Sequence, residues 1–193
     1  TYYKNYLDKI SINNLDEEVL LDTLRQSHRL LKFQIIFALI NHEINIERAS
    51  KEFSLLAQAT FDTSLKIAES RIIKKYKINN LSYSIVAYGR FATLSMTANS
   101  DLDLVFIYDS KNSNNNSEQK IYIELFRQLI RTVSSKTTEG FMYEVDTKLR
   151  PSGKKGPVAC TYDNFKKYHQ ENSFCWEKLA LKKTRIINEN NFN

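Results

Sequence analysis

Apolar positions recur at helical spacing through the first third of the chain and give way to strand-like alternation after residue 78. Leu21, Leu24, His28, Leu31 and Ile35 fall three or four residues apart, with Leu20 beside the first, the spacing that lines one side of an α-helix. Asn14, followed by Asp16, Glu17 and Glu18, supplies a capping residue and first-turn acids for that helix. His28 reads as a packing residue rather than a ligand. Residues 33–40 are almost wholly apolar and predict a helix buried between others. A further helix is predicted from about Asn45 to Lys75, with a stripe of Ala49, Phe53, Leu56, Ala57, Thr60, Phe61, Leu65, Ala68 and Ile72. Residues 2–12 offer no clear pattern.

Residues 77–80 break the helical period, and 83–89 are rich in strand formers. Residues 102–108 are nearly all apolar after their acids, which predicts a central strand covered on both faces. The stretch 110–117 holds four Asn and three Ser with no apolar anchor, the composition of a surface loop. Residues 118–133 return to helical spacing through Ile121, Leu125, Phe126, Leu129 and Ile130. A third strand is expected over 141–149, stopped by Pro151-Ser152-Gly153. Residues 162–187 read as two helices with Phe165, Tyr168, Trp176, Leu179, Ala180 and Lys183 on one face. The pattern is that of an α+β chain: a helical segment over 1–77, a small mixed sheet with helices over 78–160, and the start of a second helical segment over 161–193.

Composition narrows the class. Hydrophobic residues at 42% and aromatic residues at 12% describe a globular protein, and 4 Gly with 2 Pro in 193 residues leave few tight turns. A net charge of +6 raises the question of nucleic acid, but the bases are dispersed, with runs only at Lys74-Lys75, Lys154-Lys155, Lys166-Lys167 and Lys182-Lys183. Cys160 and Cys175 fit neither a disulfide framework nor a zinc site. No apolar run approaches the roughly 20 residues that span a bilayer, and no signal-peptide pattern opens the chain. A cytoplasmic location is expected. The start at Thr1 and the polar run at 188–193 lead us to expect a fragment.

The chemistry concentrates in Asn99-Ser100-Asp101-Leu102-Asp103-Leu104 and in Tyr143-Glu144-Val145-Asp146-Thr147-Lys148-Leu149-Arg150. Side chains alternate along a strand, so Asp101 and Asp103 share a face. Two carboxylates that close resist joint ionisation unless a cation lies between them, and oxygen ligands favour Mg²⁺ or Mn²⁺. The same alternation in the second stretch sets Glu144, Asp146, Lys148 and Arg150 on one face. Three acids for metal and two bases for phosphate describe a nucleotidyl-transfer site.

Three ordered motifs carry a resemblance to a known family: Gly89-Arg90-Phe91 with Met96-Thr97-Ala98-Asn99-Ser100-Asp101-Leu102-Asp103-Leu104, then residues 143–157, then Trp176-Glu177-Lys178-Leu179-Ala180-Leu181-Lys182-Lys183-Thr184-Arg185. Together they resemble glutamine synthetase adenylyltransferase, over about residues 15–188. The resemblance implies a polymerase-beta-like nucleotidyltransferase domain between helical segments. It further implies transfer of AMP from ATP to a tyrosine hydroxyl of glutamine synthetase, with pyrophosphate leaving. Asp101, Asp103 and Asp146 would hold Mg²⁺ or Mn²⁺. Ser100, Gly89 and Arg90 would meet the β and γ phosphates, and Lys148 and Arg150 would compensate charge. The family enzyme is longer and carries two such domains, of which this chain looks more like the C-terminal, adenylylating one. Glutamine synthetase and the PII signal protein are the partners implied.

The chain departs from the family pattern where Ala92, Thr93, Leu94 and Ser95 stand in place of a second glycine, variable residues and a glutamate. A Cβ at Ala92 is expected to obstruct the approach of backbone N–H groups to phosphate and so to lower activity. Two other readings fit the residues: a non-catalytic remnant that binds glutamine synthetase or PII, and a polymerase-beta-like nucleotidyltransferase acting on another substrate.

Overall fold

The computed structural model describes residues 2–7, 9–10, 16–109 and 116–190. The chain opens with a helix, α1 (Tyr2–Leu7), where the sequence shows no period. Docking supplies what periodicity does not: Tyr3 and Leu7 are buried, and the Tyr3 hydroxyl donates to Glu52 Oε2 at 2.8 Å. The next helix, α2 (Glu17–Ile40), buries Leu20, Leu24, His28, Leu31 and Ile35 of the predicted face, while Leu21 is only partly buried. The predicted cap at Asn14 lies outside the described residues. The long helix α3 (Ile46–Tyr76) starts where expected because the Asn45 side chain accepts from Arg48 N at 2.8 Å, and it ends as Lys77 turns left-handed at φ 52°. Its whole predicted stripe is buried.

Residues 33–40 are not buried between helices. Phe33 is 59%, Phe37 54% and Ile40 69% exposed. The described neighbours of α2, α3 above all, cover only the side carrying Leu31 and Ile35.

The sheet begins with β1 (Tyr83–Ala87), which passes through Tyr88 into a single helical turn, α4 (Gly89–Ala92), before β2 (Leu102–Tyr108). β1 and β2 are antiparallel, from Tyr83 opposite Tyr108 to Ala87 opposite Leu104. Helix α5 (Asn116–Ser134) then crosses over to β3 (Val145–Asp146), parallel to β2. Most of the polar run predicted as a loop lies outside the described residues, and its last two residues belong to α5. A second short strand, β4 (Ala159–Thr161), pairs parallel with the far end of β2. Helices α6 (Tyr162–Glu171) and α7 (Cys175–Leu181) follow, and β5 (Arg185–Asn190) closes the sheet antiparallel to β1.

Two expectations are corrected here. The strand predicted over 141–149 shrinks to Val145–Asp146, because the ladder with β2 spans two residues before the chain turns at 147–150. The second helix predicted to run to 187 ends at Leu181. Thr184 Oγ1 donates to Leu181 O at 3.0 Å in the turn that follows, and the β-branched Ile186 and Ile187 then enter β5.

Alternation on β2 divides the core. Leu102, Leu104, Phe106 and Tyr108 face the large cluster formed with α3 and α5, where Phe126 stacks on Phe106 at 4.4 Å and meets the Tyr83 ring edge-on at 5.4 Å. Val105 and Ile107 face a smaller cluster with Tyr88 and Cys160, against which Phe165, Ala180 and Leu181 pack. β2 is thus covered on both faces, as expected. The large cluster runs from Tyr3 to Ala159 without interruption, so residue 78 marks a change from helix to sheet inside one core.

Candidate active site

Asp101, Asp103 and Asp146 each bring a carboxylate oxygen within 4.8 Å of the others. The parallel register pairs Asp103 with Asp146 across the ladder, so their side chains leave the sheet as neighbours. Asp101 stands just ahead of β2, after a turn that Ser100 closes. The Ser100 hydroxyl accepts from Thr97 N at 2.9 Å, and Ser100 N donates to Thr97 O at 3.2 Å. Leu102 N donates to Glu144 O at 2.8 Å, fixing the start of β2 to the segment that enters β3.

Gly89 lies against this trio. Its φ is +57°, and a Cβ built there would stand 2.7 Å from Asp103 Oδ2. Glycine alone meets both conditions without strain. The preceding Tyr88 N–H donates to Asp103 O at 2.9 Å, so strand and turn hold each other in place. Arg90, next along α4, is exposed and has no acidic partner among the described residues.

The charges are unequal. Partial burial, then the neighbouring Asp101 and Asp146, raise the Asp103 carboxyl above its ordinary range, and Lys148 opposes the shift. Lys148 folds back on Asp146: its N–H donates to Oδ1 at 2.8 Å and its ammonium contacts Oδ2. That contact holds the Lys148 ammonium above its usual range. Three oxygen donors whose mutual repulsion is partly unrelieved suit a hard divalent cation.

Other predicted residues stand elsewhere. Arg150, expected to compensate charge at the site, commits its guanidinium to the turn after β3, with Asp146 as the acid that acts on it. Its guanidinium donates to Pro157 O at 2.8 Å, Thr147 O and Oγ1 at 2.6 Å each, and Gly156 O at 3.2 Å. It latches the 147–157 loop. Ala92, where an obstruction to phosphate was expected, is buried in the large core cluster. In the third motif, Glu177 is buried and accepts from the Tyr168 hydroxyl at 3.0 Å and Phe174 N at 2.8 Å, whereas Trp176 is exposed.

Arg185, quoted in the third motif without a role, reaches across to α4. It donates to Phe91 O at 3.1 Å, Ala92 O at 3.2 Å and Gln58 Oε1 at 3.0 Å, and lies 5.4 Å from the Phe91 ring centre. It thereby ties the glycine-bearing turn to α3 and β5. Nothing in the local pattern of a basic run marks this role, which depends on a strand pairing between Ala87 and Arg185, about a hundred positions apart. Lys32 also went unassigned because it sits in an otherwise apolar helical run, yet it lines a cavity that reaches Asp101.

A mixed sheet that sets an Asp-x-Asp pair at the head of its central strand, a third Asp beside it and a glycine turn against them is the architecture of a nucleotidyltransferase domain. The sequence matches glutamate-ammonia ligase adenylyltransferase over residues 1–192, and the chain belongs to that family. Similar proteins include the bifunctional glutamine synthetase adenylyltransferase/adenylyl-removing enzyme of Brucella melitensis, 36% identical over 180 residues, 89% of this chain and 18% of that protein. The enzyme of the same description from Alteromonas mediterranea is 30% identical over 190 residues, 92% of this chain and 19% of that protein. That from Bartonella quintana is 31% identical over 195 residues, 97% of this chain and 20% of that protein. The chain therefore spans about a fifth of the length of these relatives. Among the described residues, no helix is long and apolar enough to cross a membrane.

Proposed function

We propose that this chain carries an adenylyl-transferring site that moves AMP from ATP to a tyrosine hydroxyl of glutamine synthetase. The observation that supports it most is the convergence of three carboxylates within 4.8 Å beside a glycine turn, in a chain whose relatives are described as acting on glutamine synthetase. In the reaction the tyrosine oxygen bonds to the α-phosphorus, the bond from that phosphorus to the oxygen bridging to the β-phosphate breaks, pyrophosphate leaves and the phenolic proton is released.

Asp101, Asp103 and Asp146 are the residues that would hold Mg²⁺ or Mn²⁺. Bound there, the ion supplies charge neutralisation at the reacting phosphate and a lowered cost of ionising the attacking hydroxyl. Gly89 lets the backbone of the α4 turn approach that centre. Arg90 projects from the same turn as a cation free to meet phosphate oxygens. Lys148 holds the Asp146 carboxylate in place through its backbone N–H and its ammonium. Ser100 holds the turn from which Asp101 projects, and Arg150 serves the site by fixing the loop that follows Lys148.

The test is transfer of label from α-labelled ATP to glutamine synthetase in the presence of Mg²⁺. Wild-type chain should label the synthetase, and Asp101→Asn or Asp103→Asn should lower the rate by at least about 10² to 10³. A folded wild-type chain that leaves the synthetase unlabelled, under conditions where the Brucella melitensis relative labels it, would overturn the proposal.

A further inference from the structure

On the α2 side of the acid trio lies a cavity of about 390 Å³ whose wall includes Lys32, Ser100, Asp101, Phe141 and Glu144. Its geometry is set by α2. Arg29 donates to Glu139 O at 3.2 Å and Oε2 at 3.1 Å, and the His28 ring meets Tyr143 edge-on at 4.8 Å. These two contacts, one turn before Lys32, hold the helix over residues 139–144 and bring the lysine stem to the cavity. Lys32 is half-buried and has no acidic partner among the described residues, and burial depresses its ammonium. A cation removed from water without a counter-charge gains when an anion arrives.

The position of the cavity indicates which anion. It touches Asp101 but neither Gly89, Arg90 nor Asp103, whereas the glycine turn abuts Asp103. In-line displacement at phosphorus needs the acceptor to approach opposite the leaving group. With the phosphates at the glycine turn, the acceptor enters from the cavity. Phe141, exposed and flanked by the Lys136 ammonium 5.4 Å from its ring centre, offers an aromatic wall to an arriving tyrosine. Asp101 and Glu144 line the same cavity, but both are exposed and no ion pair joins either to Lys32 among the described residues.

We propose that Lys32 is a specificity-determining residue that pairs with an acidic side chain flanking the modified tyrosine of the acceptor, and that this cavity is the acceptor's entry. The inference rests on the reading of the site as an adenylyl-transferring one. It is tested with Lys32→Met, which keeps the apolar stem, and Lys32→Glu, assayed on glutamine synthetase and on fluorescent peptides spanning the modified tyrosine. In one peptide set Glu stands within four positions of that tyrosine, in a second Gln takes its place, and in a third Lys.

Lys32→Met should raise KM for glutamine synthetase about tenfold with KM for ATP unchanged, and Lys32→Glu should raise it further. The Gln peptide should bind wild-type as weakly as the Glu peptide binds Lys32→Met, and the two changes together should cost no more than either alone. The Lys peptide should regain affinity for Lys32→Glu. An unchanged acceptor KM, or a loss that falls on ATP instead, overturns the inference and assigns the ammonium to phosphate. Peptide binding needs no turnover, so an inactive wild-type chain overturns the proposed function while the peptide series still decides the role of Lys32.

Discussion

The face of the sheet turned toward α3 and α5 and the face turned toward α6 and α7 are built from the same strands, yet they are finished differently. The first is a continuous apolar layer, with Tyr83, Ile85, Leu104 and Phe106 fully buried against Phe126 and Leu125. The second carries Val105 and Ile107 under a small cluster, and one step along β2 the same alternation places Asp103 beside Asp101 and Asp146. A single strand thus anchors the core with its even-numbered residues and presents chemistry with an odd-numbered one. Packing is concentrated away from the acid trio, which leaves that face free to hold groups that repel one another.

The largest expected difference between the faces is in packing. Phe106→Ala should lower unfolding free energy by about 3–5 kcal/mol, against about 2 kcal/mol for Val105→Ala on the other face, from the loss of two buried carbons. Denaturant titration of both variants measures the comparison, and equal losses would break it.

Next is the acid limb of the stability curve. Burial lowers the His28 pKa from 6.5 to about 3. The folded state keeps the ring neutral while the unfolded chain protonates below 6.5, so stability present at neutral pH is lost as pH falls through the interval from 6.5 to 3. By pH 5 the loss should reach about 2 kcal/mol. It should be absent in His28→Leu, and identical acid limbs for the two proteins would refute the burial account.

Smaller again is the glycine turn. Gly89→Ala should cost about 1 kcal/mol for its left-handed backbone, and the methyl group should displace Asp103 Oδ2 and weaken Mn²⁺ binding in calorimetry. Unchanged Mn²⁺ affinity would separate the turn from the trio. The smallest effect has the opposite sign. Asp103→Asn removes a carboxylate whose ionisation its neighbours oppose, so the metal-free protein should gain about 0.5 kcal/mol after allowance for solvent screening while losing Mn²⁺ affinity. A destabilised Asp103→Asn protein would mean that the carboxylate serves the fold as well as the site.

What the sequence made legible follows the same division. The stripe of α3, its start at Asn45 and the apolar run of β2 could be read because burial imposes a period, and the Asp-x-Asp pair because two acids in such a run are conspicuous. β3 was overextended because alternation in residues 143–150 continues in the sequence after the ladder has ended, and the loop contacts of Arg150 could not be read from that alternation. β5 was hidden behind helix formers until Ile186, and its pairing with β1 depends on residues about a hundred positions distant. Phe33, Phe37 and Ile40 looked buried because hydrophobicity reports a preference for cover, not the presence of a neighbour.

The latch from Arg185 to the carbonyls of Phe91 and Ala92 has a consequence for how the protein comes into being. As the chain emerges during synthesis, the acids of β2 and the glycine turn are out about ninety residues before the arginine that secures them, and closing a loop of that length carries an entropic cost that short turns escape. The site is therefore among the last parts to become rigid, after the apolar face has already condensed from contacts nearer in sequence. The growing polypeptide passes through a stage in which it has a core and its carboxylates but an unfastened glycine turn.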